Sequence, residues 1–198
     1  MFARTERLLL RPGWIEDAPA LARAIGEEAV VRNLATAPWP YGEEQARAFL
    51  SEPVATTEPR FLVFARTGGA PRLVGGCGIS PAPDGALELG YWIARPYWGL
   101  GFATEAGRQL VRIARAMDMP RLTASHFADN SASGAVLRKL GFRPTGEVAR
   151  RFSLARGGEA PCALFEEGEG DGDGAVAPMR GRIDSDSDFR QELRLLAA

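Results

Sequence analysis

A chain of 198 residues with 45% hydrophobic content suits one domain of ordinary size with a substantial core. Its 24 Lys plus Arg nearly balance its 25 Asp plus Glu, so the molecule as a whole offers no field to draw nucleic acid or an anionic membrane, and any anion site must be local. Cys77 and Cys162 lack CxxC spacing and one histidine cannot complete a usual zinc site with them, so both cysteines read as small core residues and no metal is expected.

From the N-terminus, "MFARTERLLLRPG" has neither the regions of a secretion signal nor a run near the roughly 18 apolar residues of a membrane span, so the cytoplasm is the expected location. "TERLLLRP" predicts a first strand ending at Pro12, and "IEDAPALARAIGEE" carries Ile15, Ala18, Leu21, Ala22 and Ile25 at helical spacing. "GEEQARAFLSE" predicts a second helix after the turn "APWPYG". The period then changes. "RFLVFAR", "RLVGGCGIS" and "ALELGYWI" are β-rich and separated by the hairpin-length signals "TGGAP" and "PAPDG", which predicts three adjacent antiparallel strands.

"FATEAGRQLVRIARAMDM" is the strongest helical pattern in the chain, with Ala103, Ala106, Leu110, Ile113 or Ala114, and Met117 on one face and Arg108, Arg112 and Arg115 toward another. "RLTASHFA" is the next strand, and "NSASGAVLRKL" a helix opened by Asp129 or Asn130 and closed by Gly141. Strands follow at "GFRPTGEVARRFSLA" and "APCALFE". These elements predict one α/β (α+β) layer domain over residues 1–167 with a mixed sheet. Residues 168–198 are a Gly- and Asp-rich acidic tail, whose Phe189, Leu193 and Leu196 are spaced for a short terminal helix.

The strand "ALELGYWI" breaks into "WGLGFA", Trp98 to Ala103, which runs directly into a helix. Free N–H groups point outward from a helix N-terminus, and glycines ahead of it let a phosphate approach. A nucleoside-triphosphate P-loop needs Lys and then Ser or Thr where Phe102 and Ala103 stand, so that reading fails. A dinucleotide fingerprint needs a third glycine where Thr104 stands and is weak; an ordinary strand-to-helix turn remains open on the loop alone.

The loop has company. With "TERLLLRP" and "DAPAL", "PWPYGEEQARAFL", "LELGYWI" and "NSASGAVLRKLGF" in that order, the chain from about Thr5 to Phe165 resembles the GNAT superfamily of acyl-CoA-dependent N-acyltransferases, and within it the RimJ/RimL-like ribosomal-protein N-terminal acetyltransferase group. Trp98 stands where the superfamily's pyrophosphate loop more often has Gln or Arg. The resemblance implies a mostly antiparallel mixed sheet with helices on both faces, its fourth and fifth strands splayed to admit the cofactor's pantetheine arm. It implies acetyl-CoA as cosubstrate, held by Tyr91, Trp92 and Ile93 of the strand, by Trp98, Gly99, Leu100, Gly101, Phe102, Ala103 and Thr104 of the loop and helix start, and by Asn130, Ser133 and Lys139, with Arg138 nearby.

Acyl transfer to an amine needs a neutral amine, a polarised carbonyl and a proton for the departing thiolate. Glu88, pointing opposite Leu87 and Leu89, is the candidate base, the group often having an acidic residue there. Many members of the superfamily use a tyrosine beyond the "GF" strand as acid, but the tyrosines here are Tyr41, Tyr91 and Tyr97, all earlier; the resemblance makes Ser133 the substitute. His126, an imidazole late in the next strand, is a candidate for acid–base work but reads first as structural. Trp39 and Tyr41 are candidates for the acceptor wall or for core packing. The expected activity is N-acetyl transfer by direct attack of a small-molecule or peptide amine, in a monomer or homodimer with no nucleic-acid or membrane partner; a non-catalytic CoA-binding regulatory module is the alternative.

Overall fold

The computed structural model describes residues 1–55, 57–82 and 84–168; the tail and its expected terminal helix lie outside the described residues. Strands β1 (Ala3–Arg4) and β2 (Leu8–Arg11) lead into helices α1 (Ala18–Ile25), α2 (Glu28–Val31) and α3 (Glu43–Ser51). A meander β3 (Arg60–Ala65), β4 (Arg72–Pro81) and β5 (Leu87–Ile93) follows, then α4 (Phe102–Ala116), β6 (Leu122–Phe127), α5 (Ser131–Lys139) and the hairpin β7 (Phe142–Ser153) and β8 (Gly158–Glu167). The strands form one eight-stranded sheet in the order β1-β2-β3-β4-β5-β6-β8-β7. Among the described strands only the β5–β6 pair is parallel, as α4 crosses from the end of one to the start of the other.

Helices cover both faces, and β3 shows why its sequence is apolar throughout. Phe61 and Val63 pack with Leu110 and Ile113 of α4, while Leu62 and Phe64 pack with Leu21 of α1 and Ala46 of α3. A strand buried on both sides loses the alternation of a half-exposed one. β7, at the sheet edge, is the opposite case: Val148 and Phe152 stand exposed.

The helix predicted through Glu28 is interrupted. A 3-10 turn covers Ile15–Asp17, α1 stops at Ile25, and Gly26 caps it by donating to Ala22 O before α2 starts a new direction. The position of β8 between β6 and β7 was equally outside the periodic pattern, because strand order depends on pairings between distant segments. Cys77 and Cys162 are both free thiols in the core; burial pushes the Cys77 thiol up to about 12, which keeps it protonated. Among the described residues no helix is long and apolar enough to cross a membrane.

Candidate active site

β5 and β6 pair at just two positions, Leu87 with Leu122 and Glu88 with Thr123. Beyond Glu88, β5 stays paired to β4 and β6 to β8, so a gap opens between them from Leu89 onward. This is the expected splayed pair, numbered one later here because the two-residue β1 precedes it. Side chains alternate along β5, so residues on either side of the opening are sorted by parity.

Tyr91 and Ile93 face α4 and α5. The Tyr91 hydroxyl lies 2.8 Å from Ser133 Oγ and 3.0 Å from Ser133 O, spanning the gap to the first turn of α5. Asn130 caps that turn, its Oδ1 accepting the Ser133 N–H at 3.3 Å. Burial pushes Tyr91 up to about 12, with the Ser133 hydrogen bond opposing, so the phenol holds its proton throughout the neutral range. Trp92 belongs to the other face: its indole packs with the α1 and α2 clusters, and a Cβ on Gly76 would meet its Nε1 at 2.6 Å. Of the three strand residues expected to line the cofactor cleft, only Tyr91 and Ile93 aim side chains toward it.

The loop has the form an anion site requires. Gly99 and Gly101 adopt φ of 76° and 81°, left-handed conformations that favour glycine. No backbone amide from Gly99 to Thr104 donates to a partner among the described residues, and the first turn closes only with Glu105 N–H on Gly101 O. Trp98 anchors the loop, its indole N–H donating to Ile93 O at 2.6 Å while Arg95 stacks on the ring. Phe102 is buried, so only its amide is offered outward; Leu100 is exposed. Lys139 is exposed in the last turn of α5, about 9 Å along the axis from Ser133.

Glu88 faces the opposite side of the sheet. Its Oε1 accepts the Ser125 hydroxyl at 2.6 Å, and Arg151 Nη1 donates to Oε1 at 2.9 Å and Oε2 at 2.6 Å. Thr123, Ser125 and Phe127 share this face by strand alternation, whereas Arg151 reaches in from β7, across β8 and β6. Sequence reasoning missed both partners. Ser125 was within reach of the period-two pattern, but Arg151, 63 positions from Glu88, carried no local signal.

The β7–β8 tip is tied over this face. Ser153 Oγ donates to Leu34 O at 2.9 Å, Leu154 N–H to Ala35 O at 3.0 Å, and Arg156 Nε to Arg32 O at 2.7 Å. Asp129 bridges Arg156 and Arg32; the Arg156 hydrogen bond, against slight burial, holds its carboxyl below the usual range. Trp39 is exposed near this wall in sequence, while Tyr41 packs into the α1 and α2 clusters. His126 is on the α5 face, its ring against Phe165 and under Gly134, with Nδ1 donating to Phe127 O at 2.8 Å. That packing fits the structural role.

The profile described as "Acetyltransferase (GNAT) domain" matches residues 7–143. The uncharacterized N-acetyltransferase p20 of Bacillus licheniformis is 28% identical over 160 residues, which cover 77% of this chain and 88% of that protein. Among solved structures, a GNAT-family acetyltransferase from Bacillus anthracis aligns with a TM-score of 0.70 at 22% identity, over 84% of this chain and 97% of that one. RimL, a ribosomal L7/L12 α-N-protein acetyltransferase in complex with coenzyme A, aligns with a TM-score of 0.69 at 19% identity, over 84% and 97%.

Proposed function

This chain belongs to the GNAT acetyltransferase family, and from that premise we propose that it is an N-acetyltransferase moving an acetyl group from acetyl-CoA to a primary amine, on a protein N-terminus or a small molecule, by direct attack. The observation that carries the reading is on one strand: Glu88 faces one side of the sheet, Tyr91 with Ser133 faces the other, and the pairing between β5 and β6 ends between them. Such an opening lets a donor and an acceptor approach from opposite faces, which holds their reacting atoms together without competition for space.

The residues fit the cosubstrate. The undonated amides from Gly99 to Ala103 at the start of α4 are an anion receptor for a diphosphate, and Thr104 extends that first turn. The edge of β5 at Tyr91 and Ile93, with Asn130 and Ser133 across the gap, would hold the pantetheine arm; Trp92 contributes backbone alone. Lys139 suits the distal phosphate of the adenosine end. Bound there, acetyl-CoA supplies an activated thioester carbonyl.

The chain's own residues then handle protons. Glu88 is assigned to receive one from the acceptor's ammonium group, directly or through water, and the Ser133 hydroxyl to give one to the leaving sulfur, steadied by Tyr91. Incubation with acetyl-CoA and a panel of peptide N-termini, polyamines, aminoglycosides and amino acids, read by mass spectrometry, tests the reading. A gain of one acetyl group on an amine is expected. CoA binding with no acetylated product from any amine class would argue for a non-catalytic CoA-binding module.

A further inference from the structure

An anion-binding helix N-terminus is a poor place for a carboxylate, yet Glu105 stands in the first turn of α4. Alone it would favour the helix dipole and at the same time compete, by like charge, with any phosphate held at the same amides. Its carboxylate is fully engaged. Glu105 Oε1 accepts the Thr5 hydroxyl at 2.5 Å and the Arg7 backbone N–H at 2.9 Å, while Oε2 accepts Arg7 Nε and Nη2, both at 2.7 Å.

The same guanidinium touches the loop itself. Arg7 Nη1 donates to Leu100 O at 3.0 Å, its carbon lies 4.8 Å from the Phe102 ring centre, and Nη2 would be 3.5 Å from a Cβ at Gly101. A peptide plane carries its C=O and N–H in opposite directions. Fixing the Leu100 carbonyl on Arg7 therefore leaves the Gly101 N–H directed away from Arg7.

Resting on the acetyl-CoA reading above, we propose that Arg7 is a positioning residue for the cosubstrate. It acts as the counter-ion that lets Glu105 tie the β1–β2 turn to α4 without repelling the diphosphate. Nε and Nη2 each bond Glu105 and Nη1 bonds Leu100, three of the five N–H donors, and the role assigned to Arg7 passes through those two groups. Glu105 is retained because it fastens the first strand pair to the helix bearing the loop; Arg7 cancels the electrostatic cost of that fastening.

The test is a double-mutant cycle on the full chain, with CoA and dephospho-CoA affinities measured by calorimetry and folding checked by thermal melting. Arg7→Met is expected to weaken both ligands roughly tenfold at low salt, to lose less at high salt, and to raise KM for acetyl-CoA with kcat little changed. Arg7→Lys should recover part of the loss. In the Glu105→Gln background, Arg7→Met should cost less than about threefold, because no charge remains to neutralise. An equal loss in both backgrounds would overturn the counter-ion role in favour of a prop or a direct phosphate contact. A loss with CoA but not with dephospho-CoA would overturn it in favour of the 3′-phosphate. If Arg7→Met loses its melting transition, the comparison of Arg7→Lys in the two backgrounds carries the same decision. Wild-type protein that binds neither ligand would sink the acetyl-CoA reading itself, an outcome distinct from all of these.

Discussion

Arg151 Nη1 lies 2.6 Å from Oε2 of Glu88 and 2.9 Å from Oε1, so the candidate base shares both carboxylate oxygens with a cation delivered by the edge strand. The pair is only partly screened, with side-chain exposures of 29% for Arg151 and 18% for Glu88. An acceptor ammonium approaching Glu88 meets an oxygen already bonded, and a competition between two cations for one carboxylate follows. Under the proposed role of Glu88, an amine would have to displace Arg151 or share the carboxylate with it.

Glu88→Gln is therefore expected to leave CoA affinity nearly unchanged while turnover near neutral pH falls on the order of 10²–10⁴-fold. The loss should shrink toward the acceptor's own pKa, where free amine is abundant. Steady-state rates across pH with an identified acceptor check this; an unchanged rate removes Glu88 as the base. A pH-independent loss reassigns it to holding the ammonium group.

Gly101, at φ of 81° and N-cap of α4, tolerates little else. Gly101→Ala should cost about 1–2 kcal/mol of stability from the left-handed backbone alone. Gly101→Asp adds a charge beside the unpaired amides and should abolish CoA binding, as calorimetry on the folded variant would read. Retained affinity in Gly101→Asp would remove the loop as the diphosphate site.

Ser153 is fully buried, and its hydroxyl is tied to Leu34 O. Ser153→Ala leaves that carbonyl without its partner and should destabilise the protein by about 1–3 kcal/mol in denaturant unfolding. Because the bond pins the hairpin tip to the face proposed here for the acceptor, KM for the amine should rise while KM for acetyl-CoA stays close to the wild-type value.

Burial alone raises the Glu105 carboxyl, but the Thr5 and Arg7 hydrogen bonds and the Arg7 charge override it and leave the folded-state pKa below the usual 4.5. A depressed carboxylate contributes stability that is complete above its unfolded pKa and is lost as pH falls through the folded one. Glu105→Gln should accordingly be less stable than wild type by about 1–2 kcal/mol at pH 7, and the two should converge in acid. Unfolding curves at pH 7 and at about pH 3 give both numbers.

Much of this was legible in the sequence for definite reasons. β3 announced itself by an unbroken apolar run, α4 by its face of Ala106, Leu110 and Ile113, and the loop by glycines at the junction between strand and helix. Tyr91 and Trp92 were grouped by the resemblance although neighbours on a strand must face opposite ways, and the structure separates them. Arg151, and the Arg7 grip on Glu105, were illegible because each joins segments far apart in the chain. No period or turn signal reports a contact that only the strand order creates.

The strand order also dictates a sequence of assembly. β8 is last among the described strands along the chain, yet it lies inside the sheet, with β7 docked outside it. Until β8 finds β6, β7 has nothing to pair with except β8 itself, and Arg151 has no fixed distance from Glu88. The half-sheet from β1 to β5, with the loop and α4, has its own nearest-neighbour pairings and needs neither strand. Loop-closure entropy favours the pairings close in the chain, β3–β4, β4–β5 and β7–β8, before the distant β2–β3 and β6–β8, so the Arg151–Glu88 contact, which waits on β6–β8, is among the last to be fixed.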